Sequence, residues 1–237
     1  MDIQAFADLL AEKFDLHIQK KAPYIEALTH SSYVNENRRK KLTDNERIEF
    51  LGDAVLDLQV SHYLYVHYPK MPEGDMSRLR ALIVREESLS KRCVECGFDQ
   101  FVRLGHGEES SGGRQRESLL CDLFESVLGA IYLDLGIDAV ERLLSITIYP
   151  KIKSGYFNQR MDAKTALQEE LQKHGQIKLH YDLIKEEGPA HAKEFTVAVQ
   201  LNGKEIGRGK GRSKKHAEQA AALSALENHQ ASNNERK

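Results

Sequence analysis

Apolar residues recur at helical spacing through the first two thirds of the chain, as in Ile48, Leu51, Val55 and Leu58 and again in Leu123, Val127 and Ile131. This period predicts a series of amphipathic helices up to about Pro150. Breakers interrupt it where helices should end: Tyr68-Pro69-Lys70-Met71-Pro72-Glu73-Gly74 and Ser110-Ser111-Gly112-Gly113. Residues 151–160, with Gly155 and Asn158, read as a linker. Beyond it a helix over 163–174 ends at Gly175, and then the period changes. Phe195, Val197, Val199 and Leu201 alternate with more polar neighbours, the mark of a half-buried strand. Asn202-Gly203 supplies a tight hairpin turn into a strand over 205–212, residues 179–186 form the first strand, and an alanine-rich helix follows over 214–228. The expected fold is an all-α domain over 1–157, then a small α+β (α-β-β-β-α) domain over 158–230, with 231–237 a frayed polar tail.

Composition narrows the class. With 41% hydrophobic residues in 237, each part can bury a core. No run of about eighteen apolar residues occurs, and Met1-Asp2-Ile3-Gln4 lacks the basic and apolar segments of a signal peptide, so a soluble, cytoplasmic protein without a membrane partner is expected. Three cysteines, Cys93, Cys96 and Cys121, are too few for a disulfide framework.

The formal net charge of -2 conceals an asymmetry. Residues 1–159 hold 20 Lys+Arg against 25 Asp+Glu, a balance of -5, and residues 160–228 hold 12 against 10, a balance of +2. An acidic first domain cannot hold a polyanion by bulk charge, so such a partner requires local basic clusters or bridging metal ions.

Two acidic clusters supply that chemistry. In Asn45-Glu46-Arg47-Ile48-Glu49-Phe50-Leu51-Gly52-Asp53-Ala54-Val55-Leu56 the carboxylates Glu46, Glu49 and Asp53 are three and four residues apart and share one helix face. A solvated helix face is the ordinary explanation of such a triplet. Here the surrounding helix is apolar, and Gly52 sits mid-helix at a cost of about 1 kcal/mol against alanine; divalent metal binding is the expected compensation. Asp122 and Glu125 form a second pair one turn apart in 117–134. Two such pairs facing one another would suit a hard, oxygen-seeking cation such as Mg²⁺, which could orient water against a phosphodiester.

The stretch Asn45 to Leu56, together with Glu117-Ser118-Leu119-Leu120-Cys121-Asp122-Leu123-Phe124-Glu125 and Gly129-Ala130-Ile131-Tyr132-Leu133-Asp134, resembles the two motifs of bacterial ribonuclease III. The resemblance covers nearly the whole chain. Cys121 and Phe124 depart from the commoner alanine and leucine, and every acidic position is intact. The resemblance implies Mg²⁺-dependent endonucleolytic hydrolysis of double-stranded RNA, with Mn²⁺ as a substitute, leaving 5′-phosphate and 3′-hydroxyl ends with a two-nucleotide 3′ overhang, in the processing of rRNA precursors and mRNA hairpins. It assigns Glu49, Asp53, Asp122 and Glu125 to the metal, with Asp53 and Glu125 catalytic, and lines the cleavage valley with Glu46 and Glu73. It also implies a homodimer in which Phe50 fills a cavity of the other subunit; by itself Phe50 reads as an ordinary core residue.

The second domain resembles the double-stranded RNA-binding domain, which recognises shape, 2′-hydroxyls and phosphates. In Arg212-Ser213-Lys214-Lys215 cations gather at a helix N-terminus, where the macrodipole disfavours them and a bridging phosphate would account for them; Ser213 is the expected cap. Thr165, Gln168 and Glu169 correspond to the family's minor-groove contacts, and Gly188-Pro189-Ala190-His191 to its second minor-groove loop.

Three other features are set aside. Cys93-Val94-Glu95-Cys96 has no second ligand pair and is read as core or surface thiols, not zinc. Gly105-His106-Gly107 and Ser111-Gly112-Gly113-Arg114 lack the strand-to-helix context of a nucleotide site, so no nucleotide cofactor is expected. His30-Ser31-Ser32 lacks an acid partner for a nucleophilic triad and reads as helix packing.

Overall fold

The computed structural model describes residues 2–157, 163–172, 177–188 and 193–234. The chain divides into two compact units, 1–154 and 155–237.

The first unit is helical: α1 (Ile3–Phe14), α2 (Lys21–Ala27), α3 (Ser31–Glu36), α4 (Glu46–His67), α5 (Glu73–Ile83), α6 (Glu86–Cys96), α7 (His106–Ser110), α8 (Glu117–Leu135), α9 (Ile137–Thr147) and α10 (Tyr149–Lys153). Its only bridge among the described residues joins Thr29 to Arg103. The central element is α8, whose apolar and small residues leave little of its surface for water, so it is enclosed by α4, α6 and α2. An aromatic cluster seals one side: the ring centroids of Phe6 and Phe98 are 5.7 Å apart, and those of Phe98 and Phe124 6.1 Å.

Glycine sets how closely α4 and α8 approach. A Cβ on Gly52 would overlap the carbonyl oxygen of Glu125 and sit 2.6 Å from its carbonyl carbon, and a Cβ on Gly129 would overlap the carbonyl oxygen of Ile48. The expectation that metal binding explains Gly52 is therefore corrected. The mid-helix glycine is required by backbone-to-backbone contact, and dense packing along α8 compensates its cost.

The expected linker over 151–160 holds the division between the units, at 154/155, but its first residues are helical. Residues 149–153 form α10, because Pro150 occupies the first turn, where its missing N–H costs nothing, and Ile152 is buried. Residues 158–160 lie outside the described residues.

The second unit has α11 (Ala163–Gln172), β1 (Leu179–Glu187), β2 (Glu194–Leu201), β3 (Lys204–Gly211) and α12 (Lys214–Asn234). The sheet is antiparallel in the order β1-β2-β3. Asn202 and Gly203 have φ of 51° and 86°, the two positive values that a tight hairpin turn needs. Val197 and Val199 meet Leu167 and Leu171 of α11 and Ala217, Ala221 and Ala225 of α12 in one core. From Gly207 on, every second residue of β3 is glycine, and a Cβ on Gly207 or Gly211 would come within 2.6 Å of α12 backbone atoms. Alanines four apart on α12 answer these glycines, so helix and strand touch along their backbones. The expected tail is partly helical: α12 runs to Asn234, since no glycine or proline interrupts residues 229–234.

Candidate active site and nucleic-acid interface

Four of the six acids assigned by resemblance are drawn together where α4 crosses α8. Glu49 and Asp53 lie one turn apart on α4, and Asp122 and Glu125 one turn apart on α8. Glu125 is only 8% exposed, Glu49 and Asp122 are half-buried, and Asp53 is exposed. Their protonation equilibria are coupled across the crossing. Burial, then the charges of Asp53, Glu49 and Asp122, push the Glu125 carboxyl up to about 8. Burial, then Asp122, Glu46 and Asp53, push Glu49 up to about 7. Burial is the first cause of the upward shifts of Asp53 and Asp122 as well. Packed carboxylates that resist ionisation form a site whose chemistry suits a cation.

Glu46 is exposed in the first turn of α4, where its charge acts on Glu49. Glu73 is placed elsewhere: on α5 it accepts a hydrogen bond from Ser77 Oγ at 2.7 Å and lines a cavity with Leu58, His62, Tyr65, Met76 and Arg80. It is not among the residues that shift the four clustered acids.

Tertiary structure separates two acids of the second motif. Asp134, three turns beyond Asp122, accepts hydrogen bonds from the backbone N–H of Gln19 and Lys20 at 2.9 and 2.8 Å and from Tyr24 Oη at 3.1 Å. Its role is to fasten the start of α2 to α8. Nothing local in sequence separates it from Asp122.

Two neighbours of the carboxylates were not connected to them by sequence. Cys121 places Sγ 3.8 Å from Glu125 Oε1. Sulfur and oxygen atoms of Cys121, Asp122 and Glu125 all lie within 4.8 Å of one another, the one such trio of histidine, cysteine and acidic residues among the described residues. His30 caps α3, with Nδ1 accepting from Ser32 N–H at 3.2 Å and 2.8 Å from Ser32 Oγ, and it lies within the field of Asp122 and Glu46. It therefore borders the acidic site as well as packing α3. Sequence gave no signal of either contact, because both partners lie across helices remote in the chain or on the same helix turn without a distinguishing pattern. Cys93 and Cys96 are buried free thiols of α6.

The second unit carries the other expected residues. On α11, Thr165, Gln168 and Glu169 are exposed, opposite the buried Ala163, Leu167 and Leu171. Ser213 caps α12, its Oγ accepting from His216 N–H at 3.2 Å and its carbonyl from Ala217 N–H at 2.9 Å. Lys214 and Lys215 are exposed in the first turn beyond this cap. Several cations of the unit are committed, Lys193 to Glu186, Arg208 to Glu205 and Lys210 to Glu194. Among the described residues Lys214 and Lys215 enter no such pair, so their charge is available to an external anion. His191 lies outside the described residues.

No helix among the described residues is long and apolar enough to cross a membrane. Residues 21–152 match the family described as Ribonuclease-III-like, and 163–229 match the double-stranded RNA binding motif. Ribonuclease 3 of Enterococcus faecalis is 58% identical over 201 residues, covering 85% of this chain and 87% of that protein. Ribonuclease 3 of Limosilactobacillus reuteri is 52% identical over 226 residues, covering 95% and 97%. A solved nuclease domain of the Campylobacter jejuni ribonuclease III, described as flexible in a region involved in dimer formation, superposes with a TM-score of 0.55 at 37% identity, covering 60% of this chain and 98% of that one. These matches span both units in the order in which they occur here, and they place the chain in the ribonuclease III family of endoribonucleases, a nuclease domain followed by a double-stranded RNA-binding domain.

Proposed function

We propose that this chain hydrolyses phosphodiesters of double-stranded RNA with Mg²⁺ held by Glu49, Asp53, Asp122 and Glu125, Mn²⁺ being able to replace it. The observation that carries the reading is the convergence of these four carboxylates from α4 and α8, with Glu125 and Glu49 shifted up to about 8 and about 7. The donor set fits: oxygen ligands and a surplus of negative charge suit a hard cation, and binding one relieves the repulsion that raises these values. Bound there, the ion supplies Lewis acidity to a phosphoryl oxygen and to an attacking water.

The protein's own residues do the rest. The α4–α8 crossing fixes the spacing of the four carboxylates before any ligand arrives, and Asp53 and Glu125 hold the reacting groups in line. Glu46 extends the acidic lining on α4, whereas Glu73, apart from the four on α5, is given to the wider cleavage valley by the family resemblance alone. No side-chain nucleophile is required, and cleavage leaves 5′-phosphate and 3′-hydroxyl ends. Two active sites set along one duplex would give the two-nucleotide 3′ overhang. Thr165, Gln168 and Glu169 address 2′-hydroxyls of one minor groove, His191 the next, and Ser213, Lys214 and Lys215 the phosphates between them. Ribosomal RNA precursors and messenger hairpins, met in the cytoplasm, are the proposed substrates.

The active form is a homodimer. Phe50 is 79% exposed, and exposed Leu58, Tyr65 and Val66 continue an apolar strip along the same helix. Beside it lies a cavity of about 480 Å³, room enough for an aromatic ring. A large apolar side chain exposed to this degree, on a helix whose exposed Leu58 and Tyr65 line an apolar cavity, supports a self-complementary interface.

The test is a plain RNA duplex incubated with the full chain with and without Mg²⁺ and resolved on a gel, with Glu125→Gln in parallel. Mg²⁺-dependent cutting that falls at least about 100-fold in the variant, the order lost with one preorganised stabilising group, with duplex binding retained, supports the reading. A noncatalytic RNA-binding protein would bind and leave the duplex whole, and near-normal cleavage by Glu125→Gln would remove Glu125 from catalysis.

A further inference from the structure

Cys121 has no part in the chemistry described so far, yet its sulfur stands among the oxygens assigned to the metal. Cys121 and Glu125 are four apart on α8 and share a face, and Asp122 follows Cys121 directly. One ligand atom from each of the three lies within 4.8 Å of the others. Cys121 and Glu125 are both only 8% exposed, so neither side chain is held away by solvent.

The spacing suits common ligation. With Zn–S of about 2.3 Å, Zn–O of about 2.1 Å and a tetrahedral angle, sulfur and oxygen bound to one zinc ion stand about 3.6 Å apart. Cys121 Sγ donates a hydrogen bond to Glu125 Oε1 across 3.8 Å, a separation close to that. A hard cation takes oxygen ligands and has little use for the sulfur, whereas a thiolate is the preferred ligand of soft and borderline cations. The other two thiols do not share this position: neither Cys93 nor Cys96 belongs to the trio.

We propose that Cys121 turns the carboxylate centre into a capture site for thiophilic cations, Zn²⁺ or Cd²⁺, which bind Cys121 Sγ together with Asp122 and Glu125, exclude the hard cation and arrest RNA cleavage. The proposal rests on the assignment of Asp122 and Glu125 to the metal. On capture the S–H bond breaks, a metal–sulfur bond forms, and the proton passes to solvent. A four-coordinate ion bound through sulfur also leaves fewer positions for water and phosphate than a six-coordinate one.

The test titrates Cd²⁺ into the full chain and records the ultraviolet charge-transfer absorption of cadmium–thiolate. One equivalent per chain is expected to develop the band. Cys121→Ala and the volume-keeping Cys121→Ser abolish it, Cys93→Ala and Cys96→Ala retain it, and added Mg²⁺ raises the Cd²⁺ concentration required. In cleavage assays with Mg²⁺, the concentration of Cd²⁺ that halves the rate rises at least about tenfold in the Cys121 variants, the scale on which metal affinity responds to loss of one supporting group. Absence of the band from the wild type, its survival without Cys121, or indifference to Mg²⁺ overturns the proposal. Absence of the band while Glu125→Gln still loses Mg²⁺-dependent cleavage defeats the thiol proposal alone; full cleavage by Glu125→Gln defeats the underlying metal assignment and the proposal with it.

Discussion

Gly52 of α4 lies directly against the backbone carbonyl of Glu125 on α8, so the residue just before Asp53 on one helix fixes how near its carboxylate comes to that of Glu125 on the other. Ordinarily Gly→Ala in a helix gains about 1 kcal/mol. Here the added methyl meets backbone atoms, which cannot rotate away, and overpacking of this kind costs about 1–3 kcal/mol. Gly52→Ala should therefore lower the denaturation midpoint in urea and depress cleavage further than the stability loss explains, because the two carboxylate pairs are forced apart. A variant as stable as the wild type would show that the crossing has slack.

The coupled carboxyls give stability a pH dependence of definite sign. Both Glu125 and Glu49 have values raised above the ordinary 4.5, so their contribution is complete below that value and is lost as pH rises through about 7 and about 8. In EDTA the melting temperature should fall between pH 6 and pH 8, and it should fall less in Glu125→Gln, which has no proton to lose at that position. Because the metal must displace these protons, added Mg²⁺ should raise the melting temperature more at pH 8 than at pH 6. A Mg²⁺ effect that is the same at both values would contradict the assignment of these groups to the metal.

Phe50 is too exposed to support the fold of one chain, so its truncation isolates the interface. Phe50→Ala should leave secondary structure intact and weaken self-association by about 2 kcal/mol or more, roughly 30-fold, as buried aromatic anchors do. Light scattering over a dilution series reads this. A variant still dimeric at high dilution would show that Phe50 is not the anchor.

Lys214 and Lys215, which form no ion pair among the described residues, stand beside a helix N-terminus, where a phosphate is the natural partner. Replacing both with alanine should weaken duplex binding similarly on unrelated sequences and flatten the plot of log affinity against log salt by about one unit for each phosphate no longer neutralised. Filter binding across a salt series decides it. An unchanged slope would assign the holding of RNA to other residues, the acidic first unit included.

What the sequence determined by itself was everything encoded within a few residues: the helical period of the first unit, the alternation of β2, the Asn202-Gly203 turn, the Ser213 cap, and the one-turn spacing of Glu49 with Asp53 and of Asp122 with Glu125. Local spacing dictates which side chains share a face, and the folded chain keeps those faces. Tertiary packing decided what each face meets. It made Asp134 a structural acceptor for α2 and Asp122 a member of the acidic centre, though both are aspartates of one helix. It gave Gly52 a packing reason, by matching it to Glu125 and Gly129 more than seventy positions away. It left Phe50 in solvent, where its apolar helix predicted a core residue. It also set the sulfur of Cys121 beside the Glu125 carboxylate, a contact between residues whose spacing is ordinary and whose meaning comes only from the carboxylates that α4 brings across. Such relations depend on the distance between helices, which periodicity does not encode and which the fit of backbone against backbone does.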